Sequence, residues 1–293
     1  MTDRSRFVTT LITTVLGLST TAFTAGAAQF NMSTVGDQPN CSSIQVSSRD
    51  AETAAAQETI SAGAGPLDVS PGGNGGVWIV GSADGAFTIQ ACKFAMGRDR
   101  AQAEARLDEV AIENTGGHVT ARGPSSDGNW SVFFIVQTPR SGELTATTSN
   151  GPITIRGVDA TVTAKATNGP ISIRDSRGRL EARTVNGPIS LEDVSGSVSV
   201  SAENGPLSVN LRGAEWEGEG LEGRTSNGPL TLTVPSGYGS GVVVEADGRS
   251  PFTCRSCTDA QRTWNDDGRR VQLGSGPERV RLRTTNGPVT VRN

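Results

Sequence analysis

The chain has 293 residues and a formal net charge of −4, with 26 Lys and Arg against 30 Asp and Glu and a single His. This mild acidity, without a basic arm or a patch that interleaves aromatics with bases, excludes the usual electrostatic footprint of a nucleic-acid-binding protein. With 37 Gly and 19% charged residues, the composition fits a turn-rich β protein rather than a disordered one.

Residues 1–28 read as a secretory signal. Arg4 and Arg6 form the charged start, Phe7 to Ser19 the apolar core, and Ala25-Gly26-Ala27-Ala28 the cleavage site. The apolar run is too short to span a bilayer. No later stretch is apolar enough to do so, so the mature protein is expected to lack a transmembrane segment and to be periplasmic or extracellular. Removing 1–28 takes away Asp3, Arg4 and Arg6, a net +1, and leaves −5. Residues 29–57, rich in Ser, Thr and Ala, are expected to be a partly ordered entry segment, and 58–293 the main domain. The β pattern begins at Thr59. Ala64 to Val69 and Asn74 to Ile79 look like two degenerate copies of the repeat described below, and Ala86 to Cys92 like a further strand. Residues 99–110 form the one expected helix, with Ala103, Leu107 and Val110 on one face, covering an end or side of the β structure. Strands follow at Val119 to Ala121 and Trp130 to Gln137.

From Leu144 the chain repeats Asn-Gly-Pro followed by apolar, small polar, apolar. The copies start at Asn150, Asn168, Asn186, Asn204, Asn227 and Asn286. The first three intervals are 18 residues; the next is 23, with Trp216 to Gly220 inserted; the last is 59, across an excursion at 236–267. Leu144, Val162, Leu180, Val198, Leu221 and Val280 precede each Asn by six residues. Ile153, Ile171, Ile189, Leu207, Leu230 and Val289 follow each Asn-Gly-Pro. Apolar residues at every second position mean two short strands per copy, each with one buried face. Asn-Gly alone would signal a hairpin, but the Pro that follows has no N–H to donate across a ladder. The expected fold is therefore all-β, a parallel β-solenoid of about 18 residues per rung, like residues stacking about 4.8 Å apart. Gly is expected to supply an unusual backbone angle, and the Asn side chains an internal ladder.

The motifs Val136-Gln137-Thr138-Pro139-Arg140, Leu144 to Thr148, Leu273-Gly274-Ser275-Gly276 and Val280 to Gly287, with the repeat itself, resemble a bacterial β-strand-repeat family of unknown function often labelled "putative adhesin". Its relatives include autotransporter-adhesin head domains. The resemblance covers about residues 58 to 293. It implies a cell-envelope β-solenoid without established enzymatic activity, and it brings no catalytic or binding residues.

Four Cys in a chain that reads as secreted point to disulfides. Spacing suggests Cys254–Cys257, leaving Cys41–Cys92. A redox Cys-x-x-Cys would open a helix after a strand, and zinc would need more ligands than His118. Asp159, Asp175, Glu192 and Asp193 recur near the second corner, where stacked carboxylates could cleave glycans or hold calcium. Turn propensity and the nearby Arg156, Arg174 and Arg177 give the plainer account. An outward column, Thr154, Ser172, Ser190, Ser208, Thr231 and Thr290, could meet sugars or ordered water. A second holds Thr147, Lys165, Arg183, Ser201, Arg224 and Arg283. Its bases Lys165, Arg183, Arg224 and Arg283 are candidates for anionic envelope polymers. Phe252 and Trp264 are the candidate anchors on the excursion. No cofactor motif is present, and no cofactor is expected. The expected role is a non-enzymatic exported cell-envelope module, adhesive, structural or ligand-binding, with an envelope polysaccharide or a protein as partner. The alternatives are a glycan-active β-helix enzyme and a periplasmic envelope-stress sensor that binds a protein. Oligomeric state is left open.

Overall fold

The computed structural model describes residues 29–32, 39–47, 51–124, 128–248, 250–255, 257, 260–264 and 268–292. The expected signal at 1–28 lies outside them.

Alternating apolar residues build paired short strands. Before each Asn-Gly-Pro run Glu143–Asn150, Asp159–Asn168, the second half of Ile171–Asn186, Ser197–Asn204, Gly220–Asn227 and Glu278–Asn286. After it run Ile153–Arg156, the first half of Ile171–Asn186, Ile189–Val194, Leu207–Asn210, Leu230–Thr233 and Val289–Arg292. The first set pairs in parallel as one sheet, with Leu144, Val162, Leu180, Val198, Leu221 and Val280 in register. The second set pairs in parallel as another, with Ile153, Ile171, Ile189, Leu207, Leu230 and Val289 in register. The inward residues of both sheets share one core cluster. Burying each Ile or Leu contributes about 1.5–3 kcal/mol.

The whole is all-β but the sheet is mixed, which corrects the uniformly parallel arrangement expected over 58–293. The antiparallel pairs lie at the two ends. Glu52–Gly63 runs antiparallel to Phe87–Gly97, which runs antiparallel to Trp130–Pro139. Ala111–Thr115 and His118–Arg122 form a hairpin across Gly116-Gly117, whose φ of 61° and 86° suit its two-residue turn. At the other end Gly241–Asp247, Gly268–Leu273 and Gln261–Trp264 are successively antiparallel.

Stacking order departs from chain order at both ends. Leu67–Ser70 lies between His118–Arg122 and Glu143–Asn150. Glu278–Asn286 slots between Gly220–Asn227 and Gly241–Asp247. The two degenerate copies are also corrected. Leu67 and Val69 align with Leu144 and Ala146, so Ala64-Gly65-Pro66 is not a turn copy. Asn74-Gly75-Gly76 is one, because Val77 and Ile79 align with Ile153 and Ile155 and Asn74 bridges to Asn150. Both belong to a single unit.

The helix spans Arg100–Asp108 and is capped by Asp99, which accepts from the Gln102 N–H at 2.8 Å. Ala103 and Leu107 pack on Ala54 and Ala95. The entry segment contributes Ile44 and Val46 to a small cluster over Trp78, Phe94, Phe133 and Ile135, on the outer side of the second sheet. Cys41–Cys92 ties it there, with Cα atoms 5.3 Å apart.

Candidate functional site

The Asn-Gly-Pro corner fixes the stack. Asn150 donates its side-chain amide to Asn74 (3.2 Å), Asn168 to Asn150 (3.0 Å), Asn186 to Asn168 (2.9 Å), Asn204 to Asn186 (3.1 Å), Asn227 to Asn204 (3.0 Å) and Asn286 to Asn227 (3.0 Å). This ladder is not internal. Asn186, Asn204, Asn227 and Asn286 are exposed, and the corner's inside is filled by a column the sequence reading passed over. In it, buried Thr148, Thr184, Thr225 and Thr284 each donate to a glycine carbonyl of the corner.

Gly75 and Gly151 adopt the expected unusual angle, at φ 143° and 154°, while the other corner glycines serve close approach alone. A Cβ on Gly169, Gly187, Gly205, Gly228 or Gly287 would fall on the carbonyl oxygen of the corner glycine in the preceding unit. The Pro costs no ladder bond. The residue after it donates instead, as Ile153 does to Pro170 and Ile171 to Pro188. The parallel stack is thus kept across these corners without a proline N–H.

This stacking brings the basic column together. Thr147, Lys165, Arg183, Ser201, Arg224 and Arg283 are successive register partners. All four bases are exposed. Arg283 makes a forked ion pair with Asp247 (2.8 and 2.9 Å), which holds its guanidinium above the usual arginine range. Among the described residues no carboxylate pairs with Lys165, Arg183 or Arg224. A groove of about 730 Å³ runs beside the column, lined among others by Arg183, Arg224, Arg283, Glu203, Asn204 and Asn227. The ladder Asn form part of its wall, a role the sequence reading did not give them.

The second corner carries the acidic residues, three of the four beside an arginine. Arg177 reaches Asp159 at 2.9 Å, Arg156 reaches Asp175 at 3.5 Å, and Glu192 takes Arg212 at 3.0 Å and Arg174 at 3.7 Å. The hydrogen bond to Asp159 raises the Arg177 pKa. Asp175 and Asp193 sit at φ 49° and 52°, in the left-handed region that short polar side chains tolerate, which accounts for their recurrence. Among the described residues no group of three or more His, Cys, Asp and Glu is placed to hold a metal.

The hydroxyl column Thr154, Ser172, Ser190, Ser208, Thr231 and Thr290 is in register on the outer side of the second sheet. His118 is exposed, with Nδ1 3.1 Å from Asp68 on the neighbouring strand. On the excursion, Cys254 is paired with Cys257. Phe252 and Trp264 lie 6.4 Å apart, and Arg269 stacks over Trp264 at 5.3 Å. Trp264 is 52% exposed, while Phe252 packs against the core. Trp216, in the insert, is buried and donates its indole N–H to the Gly196 carbonyl at 3.1 Å. Nearby Tyr238 is also buried. Burial, assisted by the charge of Glu215, pushes its phenol up to about 12.

No helix among the described residues is long and apolar enough to cross a membrane. No protein-family model matches the chain, and no curated protein matches it. The solved structures similar to the chain include three from bacteria. One is described as "a putative cell adhesion protein" from Clostridium sporogenes (10% identity, 82% of this chain and 99% of that one, TM-score 0.32). Another is described as a "putative adhesin" from Parabacteroides distasonis (11% identity, 82% and 97%, TM-score 0.36). The third carries the same description and comes from Bacteroides fragilis (10% identity, 84% and 98%, TM-score 0.30).

Proposed function

We propose that the chain is an exported, non-enzymatic β-solenoid module of the cell envelope that binds an anionic polymer along its basic column. The observation that carries this reading is the alignment of Lys165, Arg183 and Arg224, exposed and without carboxylate partners among the described residues, on a strand stack of constant register. Constant register converts a sequence period into a straight row of charges. Adjacent positions are about 4.8 Å apart, and Arg183 and Arg224, with Ser201 between them, about twice that. A linear polymer carrying carboxylate or phosphate groups can meet such a row at several points. The groove beside the row adds the amides of Asn204 and Asn227 as hydrogen-bonding groups.

Export is supported by the signal-like residues 1–28 and by two disulfides, which persist in oxidising compartments. The non-enzymatic reading is supported by the acidic corner, whose Asp159, Asp175 and Glu192 each have an arginine beside them. A second reading, docking of a protein on the excursion, has one observation in its favour: the Phe252–Trp264 pair with Trp264 half exposed.

The test is binding of anionic polysaccharides and phosphate-rich envelope polymers at low and moderate salt. Wild type is compared with Lys165→Gln/Arg183→Gln/Arg224→Gln, which leaves the Arg283–Asp247 pair intact. Wild type is expected to bind with an affinity that falls as salt rises, and the triple variant to bind about tenfold more weakly or worse. Equal affinity for the two proteins, or no binding by wild type, would overturn the reading.

A further inference from the structure

The chain contains seven Asn-Gly pairs, beginning at Asn74, Asn150, Asn168, Asn186, Asn204, Asn227 and Asn286. Asn-Gly is chemically labile. The glycine has no side chain to hinder its backbone nitrogen from closing on the asparagine Cγ. Closure needs that nitrogen to be free of a hydrogen bond and the side-chain amide to swing back toward it.

The corner blocks both movements at six of the seven pairs. The Gly75 N–H donates to the Asn150 carbonyl at 3.1 Å, and those of Gly151, Gly169, Gly187 and Gly205 each donate to the next Asn carbonyl at 3.0 Å. The Gly228 N–H donates to the Asn286 carbonyl at 2.9 Å. The same six Asn each have a side-chain oxygen that accepts from the next Asn in the ladder. Asn286 ends the ladder. Its amide donates to Asn227. Among the described residues, nothing donates to its side-chain oxygen and no carbonyl accepts the Gly287 N–H. The neighbouring strands Gly241–Asp247 and Phe252–Cys254 continue the stack on either side of this corner but carry no Asn-Gly-Pro to extend it. Asn286 is also exposed.

We propose that Asn286-Gly287 is a site of spontaneous deamidation, left open because it is where the ladder stops. The Gly287 nitrogen gives its proton to a solvent base and attacks Asn286 Cγ. An N–Cγ bond forms, the Cγ–Nδ2 bond breaks, and Nδ2 leaves as ammonia after taking a proton from water. The resulting ring imide takes up one water at either carbonyl and opens to aspartate or isoaspartate. Water is the only co-reactant. Either product places a new carboxylate three residues from Arg283. Isoaspartate also lengthens the backbone between Thr284 and Val289, which are in register with Thr225 and Leu230.

The experiment is incubation of the purified native protein at mildly alkaline pH, followed by tryptic mass mapping of amide-to-acid conversion at each Asn-Gly. The peptide 284–292 contains Asn286 as its one asparagine. The denatured chain serves as the reference, in which the seven sites are expected to convert at comparable rates. In the native protein Asn286 is expected to convert about tenfold or more faster than the other six, because they must first open locally. Conversion of Asn286 no faster than the ladder's interior sites, or an intact Asn286 in native protein while the denatured chain converts, would overturn the proposal.

Discussion

Gly187→Ala is expected to destabilise the protein by about 3 kcal/mol or more, beyond the usual cost of overpacking. The added Cβ falls on the carbonyl oxygen of Gly169, a backbone atom held in the stack that cannot rotate away. Relief requires two units to part, and parting them lengthens the Asn186–Asn168 bond and the Gly169–Asn186 backbone bond together. The same substitution at Gly169 or Gly205 meets the same obstacle, so the effect belongs to the column. Ser190→Ala, on the outward hydroxyl column of the same unit, is expected to change stability by no more than about 0.5 kcal/mol. Urea denaturation followed by circular dichroism measures both. A Gly187→Ala protein as stable as wild type would mean that the units do not stack through these glycines.

Trp216→Ala is expected to cost about 3–5 kcal/mol, the range for removing a large buried aromatic. The side chain is 6% exposed and belongs to the main core cluster. Its backbone N–H donates to Ser240 Oγ at 2.9 Å, so it also ties the insert to the start of the excursion. Trp216→Phe keeps most of the packing and loses the indole bond to Gly196, and is expected to cost less than the Ala substitution, by an amount that separates filling from hydrogen bonding. If both variants unfold at the wild-type midpoint, the insert is not part of the core.

What the sequence made legible is what depends on local pattern. The 18-residue period, the two strands per unit and the register of the basic column all follow from alternation at a fixed interval, and the Asp99-capped helix from composition. The ends were not legible. Whether Glu278–Asn286 pairs with Gly220–Asn227 or with some other edge depends on which edge is open once the excursion has folded, and no local pattern encodes that. The Gly116-Gly117 hairpin did carry a local signal, two glycines between short strands, that was not used. The corner was misassigned in a specific way. Asn reads as the residue that must be satisfied indoors, yet the buried polar group is Thr, two residues earlier, which alternation from Leu144 and Ala146 already places on the inward face. Placing the Asn inside hid their share in the groove beside Arg183 and Arg224. An invariable glycine in each copy, read as a demand for close approach instead of for an angle, would have pointed to the stack itself.

The row of bases, the ladder and the glycine contacts all require residues 18 apart to be strand neighbours. Nitroxide labels at Ser172→Cys and Ser190→Cys test this directly, because the native cysteines are paired as Cys41–Cys92 and Cys254–Cys257. The two positions are register partners on the outer side of the second sheet. The parallel stack predicts backbone positions about 4.8 Å apart and strong dipolar broadening in the doubly labelled protein. A spectrum equal to the sum of the two singly labelled proteins would contradict the stack, and with it the row of charges on which the proposed binding rests.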